Sequence, residues 1–99
     1  MRLVTWNSPS GVARNWETIK RFDADLLTVQ EAEPDTKAFV EGHPGWSCEW
    51  QVGRHRNGVA ILARDPYRIE DVERSGRCYV STIVGAHAGI RFDSLVSGR

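Results

Sequence analysis

The chain has 99 residues, enough for one small domain with a thin core. With 40% apolar residues, 26% charged residues and four Trp, it carries the aromatic and branched side chains that disordered chains lack. Thirteen basic residues balance thirteen acidic ones, so no global field recruits nucleic acid or an anionic membrane.

The charge is unevenly spread. Residues 1–50 hold five Lys/Arg against eight Asp/Glu, and residues 51–99 hold eight against five. Such a split would suit a cation in the first half and phosphate contacts in the second, and it equally fits ordinary surface scatter. Cys48 and Cys78 form neither a metal spacing nor a disulfide framework, and no basic start leads into an apolar signal segment. The longest apolar run is the five residues Val59 to Ala63, too short to span a bilayer. A reduced, cytoplasmic protein with no membrane span is the expectation.

In chain order, Leu3 to Trp6 are strand formers, and Asn7, Ser8, Pro9, Ser10 and Gly11 stop the strand. A helix is predicted from near Ser10 or Gly11, with Val12, Trp16 and Ile19 as its apolar stripe and Arg14, Glu17, Lys20 and Arg21 in solvent. Asp23 to Asp25 turn the chain into Leu26, Leu27, Thr28 and Val29, a run that reads as a strand buried on both faces. Gln30 and Glu31 end that strand. Strand, helix and strand in this order predict a parallel pair, so Asn7 and Glu31 finish at one edge of the sheet, roughly 5 Å apart if the strands are neighbours.

Further along, Pro34 opens a predicted short helix with Ala38, Phe39 and Val40 on its apolar side and Gly42 at its end. Trp46, Cys48 and Trp50 alternate with polar residues, as in a strand with one buried face. Gly53 to Gly58 read as a turn before the buried strand Val59 to Ala63, and together these form an antiparallel hairpin. Beyond Asp65 and Pro66 the pattern is strand and turn: a segment from Tyr67, another over residues 77–84, and a last one near residues 90–93. The fold class is therefore α/β, a mixed sheet with one main helix and one short helix.

The ordered set TWN at residues 5–7, a helix holding Trp16, DADLLTVQE at 23–31 and NGVAIL at 57–62 resembles the first half of the endonuclease/exonuclease/phosphatase superfamily. That superfamily includes apurinic endonucleases, deoxyribonuclease-I-like nucleases and inositol-phosphate phosphatases. The resemblance is specific from residue 1 to about Leu62 and looser to about residue 93. It implies a metal-dependent phosphoester hydrolase, with Glu31 as the principal Mg²⁺ ligand (Mn²⁺ as a substitute) and Asn7 assisting. Elementary chemistry agrees: Mg²⁺ takes oxygen ligands, keeps several waters and is commonly held by one or two carboxylates plus a substrate phosphate.

Each of these residues also has an ordinary role to play. A Glu at a strand end is usually a solvated residue, and Asn before Ser-Pro is a normal turn former. Glu33 is expected to face solvent and is an outer candidate only. Arg54, His55, Arg56 and Asn57 are candidate phosphate contacts on the turn before GVAIL, or a solvated hairpin loop. His43 and His87 are given no role, and the Trp residues fit a core better than a base-stacking surface.

The resemblance also implies a second half that would supply a Tyr, an Asp-x-Asn segment and an Asp-His pair, and none of these is assignable here. Residues 1–99 are therefore expected to form one incomplete domain, about half of a four-layer α/β sandwich, with one face and at least one long edge of its sheet uncovered. Expected partners are a phosphoester substrate, such as nucleic acid, and a second copy or partner chain on the open sheet. The alternative is a non-catalytic module that binds a phosphorylated ligand or a protein.

Overall fold

Leu26, Leu27 and Val29 are too apolar to leave either side of their strand in water, and they place it at the centre of the fold. The computed structural model describes residues 2–7, 11–52, 58–75, 78–84 and 91–97. Strand β1 (Leu3–Asn7) leads through a 3₁₀ turn (Ala13–Asn15) into helix α1 (Trp16–Arg21), then strand β2 (Leu26–Ala32) and helix α2 (Thr36–Glu41). Strands β3 (Trp46–Val52), β4 (Gly58–Arg64), β5 (Arg68–Ser75), β6 (Cys78–Val84) and β7 (Arg91–Ser97) follow. The first four strands form one sheet in the order β1-β2-β4-β3, and the last three form another in the order β5-β6-β7.

The first sheet is mixed, as predicted. β1 and β2 run parallel with Leu3 opposite Leu26 and Asn7 opposite Gln30. β4 is antiparallel to both β2 and β3, so β3 and β4 are the expected hairpin. Alternation along each strand sorts the side chains into two layers. On one face Val12, Trp16, Ile19, Leu27, Val29, Ala32, Val40, Cys48, Ala60 and Leu62 form a core with the helices, joined by the partly buried Val4, Trp6, Trp46 and Trp50. On the other face Leu26, Val59, Ile61 and Ala63 form a second cluster, against which Tyr67 and Ile69 pack.

That second cluster corrects the expectation of an uncovered sheet face over β2 and β4, while the same face of β1 stays exposed at Leu3, Thr5 and Asn7. Its four members are between 0% and 7% exposed, and β5, which begins the second sheet, contacts both β3 and β4. The sequence pattern showed these strands but not that they assemble into a sheet of their own, because pairing between distant strands leaves no local periodicity. Both edges of the first sheet have a single strand partner among the described residues, β1 with β2 and β3 with β4, and Leu3 and Val52 are exposed on them.

Two helix details differ from expectation. The first helix begins as a 3₁₀ turn at Ala13 and becomes α-helical at Trp16, although its stripe of Val12, Trp16 and Ile19 is buried as predicted. In α2 the buried pair is Thr36 and Val40, one helical turn apart, while Ala38 is exposed and Phe39 half-buried. Phe39 instead joins Trp16, His43 and Trp46 in an aromatic cluster, with Trp16 5.5, 4.6 and 5.0 Å from the other three rings. No helix among the described residues is long and apolar enough to cross a membrane.

Candidate functional site

Asn7 ends β1 and Glu31 lies one residue beyond its register partner Gln30, so both stand at the same edge of the first sheet. All three side chains are exposed. Simple alternation would nevertheless have kept Asn7 and Glu31 apart. Val29 packs on the helix face, so Gln30 should point to the other face, with Asn7, and Glu31 should return to the helix face.

A β-bulge changes this. Val29 pairs with Ala60 and Ala32 pairs with Gly58, so Gln30 and Glu31 together oppose the single residue Val59. Ala32, not Glu31, returns to the buried helix-side core. The extra residue lets Ala32 return to the core while Gln30 and Glu31 both stay exposed at the edge where Asn7 ends. Glu31 achieves this with φ +58°, a left-handed conformation that costs a residue with a Cβ roughly 1–2 kcal/mol. Asp23 also has positive φ, 50°, but it sits in a turn and Asp tolerates that region through local hydrogen bonds. Glu has no such excuse.

Strain of this kind persists only where neighbouring structure over-determines it, and the flanking residues supply that. The indole N–H of Trp50 donates to the Ala32 carbonyl at 2.9 Å. On the other flank, Glu33 Oε1 accepts from Val12 N at 2.8 Å, Ala13 N at 3.4 Å and the Thr36 hydroxyl at 3.3 Å. The Glu33 carbonyl accepts from the Thr36 hydroxyl at 2.6 Å and the Thr36 amide at 3.1 Å. Gly11 makes room for this carboxylate. It has φ +90°, and a Cβ there would fall on Glu33 Oε2.

Glu33 is therefore not the solvent-facing outer candidate expected from sequence. It is a half-buried clasp that ties the start of the first helical segment and the start of α2 to the end of β2. The order of Glu33 and Thr36 is the reverse of a capping box, so local pattern gave no signal for it. Its partners Val12 and Ala13 lie some twenty residues away and are invisible to local pattern.

Arg54, His55, Arg56 and Asn57 lie outside the described residues. The chain enters that segment from Val52 and leaves it at Gly58, which pair with each other, and Gly58 also pairs with Ala32. Both ends of the segment therefore sit at the Asn7–Glu31 edge. His43, given no role from sequence, packs between the Trp16 and Phe39 rings with Nδ1 2.9 Å from the Phe39 carbonyl.

The opposite end of the sheet is an electrostatic brace. Asp25 accepts from the Arg2 amide at 2.8 Å and from Arg64 Nη2 at 3.3 Å, while Arg64 Nη1 donates to Asp23 at 2.9 Å. The Arg2 amide, followed by Arg64, holds the Asp25 carboxyl below its ordinary range. These groups fasten the start of β2 to the end of β4 and are remote from Glu31.

Among the described residues no group of three or more His, Cys, Asp or Glu side chains converges as a metal cage would. One amide oxygen and one carboxylate fit the alternative pattern of a Mg²⁺ ion that retains most of its waters and shares a substrate phosphate.

No family model matches the chain, and no curated protein matches it. Its fold is similar to the crystal structure of truncated TDP2 from Caenorhabditis elegans, with a TM-score of 0.59 and 18% identity over 93% of this chain. The match covers 44% of the worm chain, so this chain spans less than half of that protein's length. At such an identity the likeness is one of fold: a partial α/β architecture with a mixed four-stranded sheet.

Proposed function

We propose that the Asn7–Glu31 edge holds a divalent cation, Mg²⁺ with Mn²⁺ as a substitute, against a phosphoester, and that the chain is a nuclease-like phosphoester hydrolase domain. The observation that carries the proposal is the bulge at Gln30 and Glu31, which holds an exposed glutamate in a left-handed conformation at the sheet edge where Asn7 also ends its strand. A solvated strand-end Glu has no use for that strain, and an observed outlier of this kind is a pointer to function. The TWN, DADLLTVQE and NGVAIL segments support the same assignment, and the likeness in fold to TDP2 agrees with it.

A cation bound there would offset charge that develops on the phosphoryl oxygens. The chain's own residues supply the rest of what can be derived. Glu31 offers the carboxylate and Asn7 a neutral oxygen, so the pair carries a single negative charge and favours a cation that arrives with or beside an anionic phosphate. Arg54, His55, Arg56 and Asn57 enter as candidate phosphate contacts because their segment starts and ends at this edge, with Arg suited to bidentate contact.

Hydrolysis also needs a group that activates water, and the described residues gather no three His, Cys, Asp or Glu side chains at one place. This favours, as a second reading, a module that binds a phosphorylated ligand without cleaving it.

The two readings separate in one experiment. Mg²⁺ binding is measured by calorimetry, and hydrolysis of a chromogenic phosphodiester is followed with and without Mg²⁺, for the chain and for Glu31→Gln. Binding and turnover that both vanish in Glu31→Gln support the hydrolase. Binding without turnover supports the module, and no binding by the unaltered chain sinks the site.

A further inference from the structure

β4 separates β2 from β3, yet a side chain of β3 reaches the backbone of β2. The Trp50 indole does so on the helix side of the sheet, where Trp50 packs against the core that contains Ala32 and Ala60. Its Nε1 donates to the Ala32 carbonyl at 2.9 Å, across 18 positions of sequence. What allows the crossing is the strand between. Gly58 faces Ala32 on one side and Val52 on the other, and a Cβ there would lie 3.0 Å from Trp50 Cε2 and collide with the Gln51 carbonyl. Ala60, the next residue of β4 on that face, is also small.

The carbonyl that receives this bond belongs to the residue after Glu31 and is the first position at which β2 resumes pairing beyond the bulge. Rotation of Glu31 out of its left-handed conformation would swing that carbonyl away from the indole. The bond therefore opposes the relaxation by which Glu31 would lower its own strain.

We propose that Trp50 is a positioning residue for the Glu31 carboxylate, acting through the Ala32 carbonyl and made possible by the missing side chain at Gly58. The proposal rests on the cation reading of the Asn7–Glu31 edge for its functional meaning, but the mechanical role stands or falls without any metal. Trp50→Phe retains an aromatic ring over Gly58 and removes the donor. Asp25→Asn, at the far end of the sheet, is the control for general loss of stability.

In the metal-free chain, isotope-edited NMR reads the backbone angle of Glu31 from its three-bond amide coupling and carbon shifts. The left-handed signature is expected in the unaltered chain and in Asp25→Asn, and is expected to average away in Trp50→Phe. A Mg²⁺ titration of the same samples should show an affinity about tenfold weaker in Trp50→Phe, the usual penalty for losing an outer support of a ligand, and unchanged in Asp25→Asn. A Glu31 angle that persists in Trp50→Phe overturns the proposal.

Should Trp50→Phe fail to fold, the unaltered chain still decides. An indole N–H of Trp50 that exchanges with solvent as fast as a free indole means the bond is absent, and slow exchange supports it. If the unaltered chain shows no shifts at Asn7 and Glu31 with Mg²⁺, the cation reading fails, and the metal-free angles still judge the role of Trp50.

Discussion

Glu31→Gly should make the protein more stable while destroying the candidate site. In the left-handed region a residue with a Cβ costs roughly 1–2 kcal/mol, and Glu31 sits there with φ +58°. Glycine removes that cost and adds roughly 0.5–1 kcal/mol of chain entropy lost on folding. The difference of central values is about 0.8 kcal/mol in favour of the glycine variant, which for a domain of this size raises Tm by about 3–6 °C. Glu31→Ala is the control, because it deletes the same carboxylate but keeps the Cβ and the strain. Thermal unfolding followed by circular dichroism should therefore place Glu31→Gly above Glu31→Ala by that amount, with both variants losing any Mg²⁺ response. Such a trade of stability for a site is common where function imposes strain. A glycine variant that melts at or below the alanine variant would show that Glu31 is not held in a costly conformation, and the case for a built site would go with it.

Other outcomes follow from the same structure. Glu33→Ala deprives Val12, Ala13 and Thr36 of a carboxylate acceptor and should cost about 2 kcal/mol in denaturant titration, the scale of a charge-assisted hydrogen bond; an unchanged midpoint would remove the clasp. Gly58→Ala forces a Cβ into the Gln51 carbonyl and should destabilise by about 1–3 kcal/mol, as overpacking does, with loss of the β3–β4 pairing in NMR. Burial, with smaller contributions from Glu41 and Glu49, pushes the Cys48 thiol from 9.0 up to about 12. Below pH 9 folded and unfolded chains both keep that proton, and between pH 9 and about 12 the unfolded chain loses it first. Stability should therefore fall across that window, by up to about 4 kcal/mol, and Cys48→Ala should flatten the decline. The same burial predicts that Cys48 reacts with a thiol reagent at pH 8 only after denaturant is added.

Much of the fold can be read from local pattern, because local pattern reflects which faces meet water. The continuous run Leu26–Val29 announced a strand buried on both sides, the alternation of Trp46, Cys48 and Trp50 announced one buried face, and Val12, Trp16 and Ile19 announced the helix. Each is a consequence of side-chain periodicity and hydrophobic burial. The parallel pairing of β1 and β2 followed from the order strand, helix, strand, and it brought Asn7 and Glu31 to one edge. The second sheet was not legible as a sheet, since partner choice among β5, β6 and β7 depends on contacts across turns that no period encodes. Nor was its start as a cover for Leu26, Val59, Ile61 and Ala63, whose apolar runs called for burial without saying what would bury them.

The orientation of Glu31 depends on tertiary structure in the same way. Residue types along the chain determined that a carboxylate would stand at the end of the second strand beside an amide at the end of the first. Strict alternation would have turned that carboxylate toward the helices. Only the assembled sheet decided otherwise, because a bulge exists in the mismatch between two strands: Gln30 and Glu31 against Val59. Its left-handed residue is held by bonds from Trp50 and Glu33 that converge from three separate stretches of sequence. A chain that does not yet know its neighbours has no means of storing that strain, so this part of the site belongs to the fold.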